Sequence, residues 1–222
     1  MLRKSLIFAI AVLWTLFLLL WGWGWADRRE YFASPARAGL FFLVILVAGI
    51  VVASGLDPDP MRRGRLPVGF QSAVLFGLTV VSMGLIWFLP FADHRQILTL
   101  RMNHAWRYLG LLLCASAAAI RIVALADLGK QFSAYVTLQE GHQLVQTGIY
   151  RYIRHPLYLS LLLAAPGFAL VFDSALMWPI LIATAIFVID RIREEERLMQ
   201  SEFGRSFEDY RNRTKIIFPL IL

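Results

Sequence analysis

Between Ser5 and Trp25 the chain runs for 21 residues without a charge, directly after Arg3 and Lys4. An α-helix needs about 20 apolar residues to cross roughly 30 Å of hydrocarbon. A signal peptide also starts basic, but its apolar core is only about 7–15 residues and ends in small side chains. Here the stretch ends in Trp21, Trp23 and Trp25, the aromatic belt of a retained membrane helix. Equivalent runs follow at Ala38–Leu56 (19 residues) and Val68–Leu89 (22 residues, stopping at Pro90). Such a chain cannot be solvated as a ball. With 59% hydrophobic and 17% charged residues, it lies outside the range of about 45–50% and about 25% typical of soluble domains.

A fourth run, Tyr108–Ala126, is apolar except for Arg121, which can snorkel to the interface. Two 16-residue runs, Leu157–Phe172 and Ser174–Ile189, are separated by Asp173 alone, and each carries a proline (Pro166, Pro179). Both are short for a crossing, so a tight helical hairpin, tilted or not fully spanning, is expected. The fold class read here is all-α: a polytopic membrane bundle of about six apolar segments ending in a helical hairpin.

Six segments put both termini on one side. Sixteen of the 22 Lys+Arg then share that side, against six opposite: Arg28, Arg29, Arg37, Arg95, Arg101 and Arg107. The positive-inside rule makes it cytoplasmic. The basic balance (pI near 10) therefore reads as topology rather than nucleic-acid binding, and no nucleic-acid partner is expected. Cys114 is the only cysteine, which excludes a disulfide scaffold. The composition shifts near residue 127, giving N-terminal membrane helices (1–126) and a polar, motif-dense section (127–222) within one integral domain.

Two clusters carry the chemistry of that section. In Arg154-His155-Pro156-Leu157-Tyr158, proline stands where the fifth run begins. Proline at a first helical position loses no hydrogen bond, and it pushes His155 out of the helical region. The tripeptide alone could simply cap a membrane helix. The helix start it leaves, with free N–H groups, attracts carboxylates and other anions. The second cluster, Asp190 to Arg197, extends the sixth run with Arg191, Arg193, Glu194, Glu195 and Glu196. Arg191 and Glu195 lie one turn apart, in the less favourable order for a surface ion pair. Beyond it Met199, Phe203, Phe207 and Tyr210 form a stripe expected of an amphipathic helix. No glycine-rich strand–loop–helix, Walker loop or paired-His spacing is present, so no metal site is expected.

Taken together, Leu128-Gly129, His142-x-Leu144-Val145, Gly148-x-Tyr150, Arg154-His155-Pro156-x-Tyr158, Arg191-x-x-x-Glu195-Glu196, Phe203-Gly204, Tyr210 and Pro219 resemble the isoprenylcysteine carboxyl methyltransferase and phospholipid methyltransferase superfamily. Phe207, where an aromatic hydroxyl is more usual, and Ser160, where a glycine often stands, are mild departures. The resemblance implies an S-adenosyl-L-methionine-dependent methyltransferase, releasing S-adenosyl-L-homocysteine, with a cofactor-binding section on the cytoplasmic side. His142, Leu144, Val145, Gly148, Tyr150, His155, Pro156 and Tyr158 would surround the cofactor, with Glu196 at its amino group. Arg191 and Glu195 would be the catalytic pair facing the methyl-accepting end of a lipid or apolar small-molecule substrate, drawn from the surrounding membrane lipids. A carboxylate acceptor would need only orientation by Arg191; an amine would need Glu195 as base. Two competitors are an NADPH-dependent reductase resembling sterol reductases, which share an Arg-His-Pro-x-Tyr element, and a non-catalytic transporter or scaffold.

Overall fold

A computed structural model describes residues 2–54, 70–129 and 144–217 of the chain. Among these residues the regular structure is entirely helical: α1 (Leu2–Trp23), α2 (Arg28–Ala33), α3 (Pro35–Ala53), α4 (Phe70–His94), α5 (His104–Leu128), α6 (Pro156–Val171), α7 (Met177–Phe203) and α8 (Arg205–Arg213), with a 3₁₀ turn at Gly148–Arg151. Extended pairing is confined to two isolated bridges, Thr99 with Ser174 and Ile153 with Lys215.

The expected apolar runs each became a helix. Two of these helices, Pro35–Ala53 and His104–Leu128, are long and apolar enough to cross a membrane. Large apolar side chains such as Leu13, Trp14, Phe42, Leu112, Ile182 and Ile186 point outward, as a surface bathed in lipid requires and a surface bathed in water does not.

Two expectations are corrected. Pro90 does not stop the third run: α4 continues through it to His94. Nor do Met199 to Tyr210 form one helix. Gly204, at φ +49°, ends α7 and starts α8; glycine takes this left-handed conformation without a Cβ penalty.

Lipid tails are as apolar as the helices, so close approach of backbones, rather than expulsion of water, has to hold such a bundle together. Gly110 on α5 and Gly167 on α6 supply that approach. A Cβ on Gly110 would meet the Gly167 carbonyl oxygen at 2.6 Å, and one on Gly167 would meet Leu113 Cβ at 2.9 Å. Gly22 does the same for α1 against α4, where an added Cβ would reach the Trp87 carbonyl oxygen at 2.1 Å. Around these contacts Leu19, Leu40, Leu89, Leu170 and Phe172 form the buried core.

α6 and α7 form the expected hairpin, closed by residues 172–176, in which Asp173 adopts φ +49°. The hairpin has a polar cluster at each end. At the turn end, the Asp93 carboxylate, 1% exposed, accepts from Arg107 (Nη2–Oδ1 2.7 Å, Nη1–Oδ2 2.7 Å) and from Arg37 (3.1 Å). Arg107 also donates to the Val171 carbonyl at the end of α6 (2.8 Å), and Arg37 stacks 4.1 Å from the Trp23 ring centre. Both arginines count as loop charges in the sequence; in the fold they neutralise a buried carboxylate and join α3, α4, α5 and α6. The 16 residues of α6, at 1.5 Å each, place the other polar cluster about 24 Å away.

Candidate functional site

The second cluster forms where the start of α6 meets the polar half of α7. Pro156 occupies the first helical position and His155 the N-cap. The His155 ring makes no capping bond and turns to α7 instead. There its Nε2 lies 3.2 Å from Glu196 Oε1, and its Nδ1 lies 3.5 Å from Glu195 Oε2. One turn further along α6, the Tyr158 hydroxyl donates to Glu195 Oε1 and is also hydrogen-bonded to Arg191. Arg154, just before the helix, donates through Nε to Glu196 Oε1 at 2.9 Å. The result is a continuous chain of alternating charge, from Arg191 through Tyr158, Glu195, His155 and Glu196 to Arg154.

α7 permits this because it does not end with its apolar run. It continues as one helix of 27 residues from Met177 to Phe203, so that the glutamates are carried on the same rigid rod as the apolar residues below them. Arg191 is buried. Its ion pair is with Glu194 (3.7 Å), three residues on, rather than with Glu195, four residues on, which it reaches through Tyr158.

The electrostatics follow from this geometry. Burial opposes charge on His155, but hydrogen bonds and attraction from Glu195 and Glu196 outweigh it and raise the imidazole above its ordinary value of 6.5. Burial also opposes charge on Glu196, and the bonds from His155 and Arg154 overcome it, holding the carboxyl below the ordinary 4.5. Both shifts favour the charged forms, imidazolium and carboxylate, and a protonated ring can donate to Glu195 and Glu196 at once. With His155 protonated, the positive charges of Arg191, His155 and Arg154 balance those of Glu194, Glu195 and Glu196.

A second layer comes from the loop before α6. Gly148, at φ +58°, opens the 3₁₀ turn at the end of α5. The Asp127 carboxylate there accepts from the Ile149 amide at 2.7 Å, and a Cβ on Gly148 would lie 2.0 Å from Asp127 Oδ2. This position admits only glycine. Tyr150, which follows, is buried, and burial pushes its phenol well up. Its carbonyl accepts from the Tyr210 hydroxyl at 2.8 Å.

Of the residues singled out in the sequence, His155, Pro156, Tyr158, Arg191, Glu195 and Glu196 come together in one cluster. Gly148 and Tyr150 flank it on the turn leading in. Leu144 and Val145 are half-buried in the segment before that turn. His142 lies outside the described residues, as does Pro219. Sequence reasoning missed Arg154, whose side chain is only 6% exposed, and Asp127. Arg154 stands beside His155 in the same motif, which was the available signal. A charge next to a membrane helix ordinarily reads as an interface residue, and its partners lie more than forty positions away.

The chain has recognisable relatives. Residues 109–201 match the family described as isoprenylcysteine carboxyl methyltransferase (ICMT). Protein-S-isoprenylcysteine O-methyltransferase of Saccharomyces cerevisiae is 33% identical over 120 residues, which cover 51% of this chain and 48% of that protein. The protein of that name in Schizosaccharomyces pombe is 35% identical over 107 residues, 46% of this chain and 44% of its own. The chain thus spans about half the length of these curated relatives. The solved structure of the eukaryotic intramembrane Ras methyltransferase ICMT superposes with a TM-score of 0.61 at 21% identity, over 97% of this chain and 76% of that one. That likeness extends the shared fold, an all-helical membrane fold, to the N-terminal helices that lie outside the family-model match at residues 109–201. Residues 109–201 of the chain are thus similar to the isoprenylcysteine carboxyl methyltransferase family.

Proposed function

We propose that this protein is an integral-membrane methyltransferase that esterifies the carboxylate of an apolar, prenylcysteine-like acceptor with the methyl group of S-adenosyl-L-methionine. The relatives named above lend the reaction class, and the family match favours it over a reductase, transporter or scaffold. The observation that carries the choice of acceptor is the occupation of Glu195. Both of its oxygens already have partners, Tyr158 on one and His155 on the other, so it is poorly placed to remove a proton from an amine. A carboxylate acceptor needs no base. It needs a cation to orient it, and Arg191 is the buried guanidinium at that end of the chain of charges; a planar fork matches a carboxylate.

The donor set fits the cofactor. S-adenosylmethionine carries a carboxylate, an ammonium and a sulfonium, and when bound it supplies an electrophilic methyl group. Glu196 would take the ammonium, the Leu157 amide at the start of α6 the carboxylate, and the aromatic faces of Tyr150 and Tyr158 the sulfonium, while His155, with its ring nitrogens turned to Glu195 and Glu196, would hold the glutamates in place. Leu144, Val145, Gly148 and Pro156 would form the walls, with His142 completing the set. Orientation by Arg191 and exclusion of water by the buried cluster account for what the protein must add to an in-line displacement. In this reading residues 1–126 are the membrane scaffold and 127–222 the cofactor and catalytic section. About six segments cross or enter the bilayer, with both termini and the site on the cytoplasmic face.

The test is transfer of radiolabelled methyl from S-adenosylmethionine by detergent-purified protein to N-acetyl-farnesylcysteine and, in parallel, to phosphatidylethanolamine. A methyl ester releases volatile methanol in base, whereas an N-methyl group does not. Base-labile label on the prenylcysteine is expected, with Arg191→Ala raising its KM at least ten-fold. Label confined to the amine, or no transfer to either, overturns the proposal.

A further inference from the structure

Glu196 and Arg154 both have long side chains, and holding each in one rotamer costs conformational entropy. Their 2.9 Å contact therefore needs something to fix the guanidinium from behind. Arg154 Nη1 faces away from Glu196 and donates to the Arg211 carbonyl (3.0 Å), the Thr214 carbonyl (2.6 Å) and the Thr214 hydroxyl (3.3 Å). Carbonyls in the last turn of a helix have no partner within it and attract cations, so the end of α8 is a natural seat for an arginine. The Thr214 hydroxyl gives its own proton to the Tyr210 carbonyl at 2.7 Å, which leaves its lone pairs turned to Arg154.

The segment that supplies this seat is itself fastened to the start of α6. Lys215 N donates to the Tyr152 carbonyl (3.0 Å), Arg154 N to the Lys215 carbonyl (2.8 Å) and His155 N to the Ile216 carbonyl (3.1 Å). These bonds form a short parallel ladder across sixty residues of sequence. The Tyr210 hydroxyl adds its bond to the Tyr150 carbonyl (2.8 Å), and Phe207 and Tyr210 are buried beneath. Tyr152, Arg154 and His155 are thus each bonded to the C-terminal segment before the chain reaches the site.

We propose that residues 205–217 are a positioning element for the cofactor site: Thr214 and Tyr210 fix Arg154 and the turn before α6, and thereby aim the Glu196 carboxylate, without touching the cofactor. This rests on the reading of Glu196 as the partner of the cofactor's ammonium. Read as packing alone, Thr214 would affect stability and leave affinity untouched. As a positioning residue, it acts on affinity at constant fold.

The experiment is calorimetric titration of S-adenosylhomocysteine into detergent-purified full-length protein, with hydrogen exchange of the peptide spanning residues 152–156 as a second readout. Thr214→Val keeps the shape and removes the hydroxyl; Thr214→Ser keeps the hydroxyl. Thr214→Val is expected to weaken binding about three- to ten-fold, the loss of one hydrogen bond, and to speed exchange at 152–156, while Thr214→Ser stays within about two-fold of the parent. Tyr210→Phe, which removes a single hydroxyl, should weaken binding similarly. Unchanged affinity in both Thr214→Val and Tyr210→Phe overturns the proposal, as does a Thr214→Ser protein as weak as Thr214→Val. Failure of the parent protein to bind S-adenosylhomocysteine overturns the underlying reading itself, and the positioning role with it.

Discussion

Arg154, just before α6, and Glu196, on α7, meet at 2.9 Å although 42 residues apart in sequence, and the contact is largely shielded from water. A charge-assisted hydrogen bond of this kind contributes about 1.5–3 kcal/mol. Glu196→Gln removes the charge while keeping the volume, leaving Arg154 with its carbonyl partners and no counter-ion. S-adenosylhomocysteine binding to the variant is expected to weaken roughly ten- to hundred-fold, measured by calorimetry. Affinity equal to that of the parent would remove Glu196 from the cofactor site.

The His155 sandwich between Glu195 and Glu196 has a pH signature. Its pKa is raised by folding, so its contribution to stability is complete below the ordinary imidazole value and is lost as pH rises through the elevated one. Glu196 is depressed, so its contribution is complete above the ordinary carboxyl value and is lost as pH falls through the lowered one. Stability should therefore be flat through the mildly acidic range and fall on both sides. Thermal midpoints in detergent between about pH 4 and pH 10 would show this. His155→Gln should abolish much of the alkaline decline; an alkaline limb as steep as the parent's would show that other groups cause it.

What could be read from the sequence and what could not divide along the range of the interactions. The start of α6 is written locally, because Pro156 bars His155 from the helix, and the structure places the helix start there. The apolar runs gave the helices for the same reason: length and the absence of charge are properties of a segment. The end of α4 was misread because proline breaks an isolated helix, while α4, packed along α1, continues past Pro90. Thr214 and the ladder between residues 152–155 and 215–216 were invisible, and Arg154 was visible only as part of a motif, since each acts through a pairing across some forty to sixty residues that no local pattern records. Asp93 was hidden likewise: its two arginines look like loop charges until three helices bring them to one carboxylate.

Gly148 offers a local test of the turn leading to the site. An L-residue in its left-handed conformation costs about 1–2 kcal/mol, and a Cβ would strike Asp127 Oδ2 at 2.0 Å, displacing the carboxylate from the Ile149 amide. Gly148→Ala is expected to lower the thermal midpoint and weaken S-adenosylhomocysteine binding together. In an Asp127→Ala background the clash is gone, so the same substitution should cost measurably less, leaving only the backbone term. Additive effects of the two substitutions would show that the carboxylate is not what excludes a side chain at this position.

The far end of the hairpin separates stability from affinity. Asp93 is 1% exposed and takes three hydrogen bonds from Arg37 and Arg107. Asp93→Asn keeps its shape but removes the carboxylate that Arg37 and Arg107 share, leaving Arg107 only Asp173 at 3.7 Å, a loss of about 3–5 kcal/mol for a broken buried pair. A drop of roughly 10 °C in the thermal midpoint is expected. The cluster lies about 24 Å along α6 from His155, and no hydrogen bond or ion pair described here joins it to Glu196. Folded Asp93→Asn protein, measured well below its midpoint, should therefore bind S-adenosylhomocysteine with the parent's affinity. Arg107→Lys, which keeps a charge but cannot donate to both carboxylate oxygens as a fork, should fall between the two in stability and match the parent in affinity. If either variant weakens binding as Glu196→Gln does, α6 transmits strain between its two polar ends, and the hairpin must be treated as one mechanical unit.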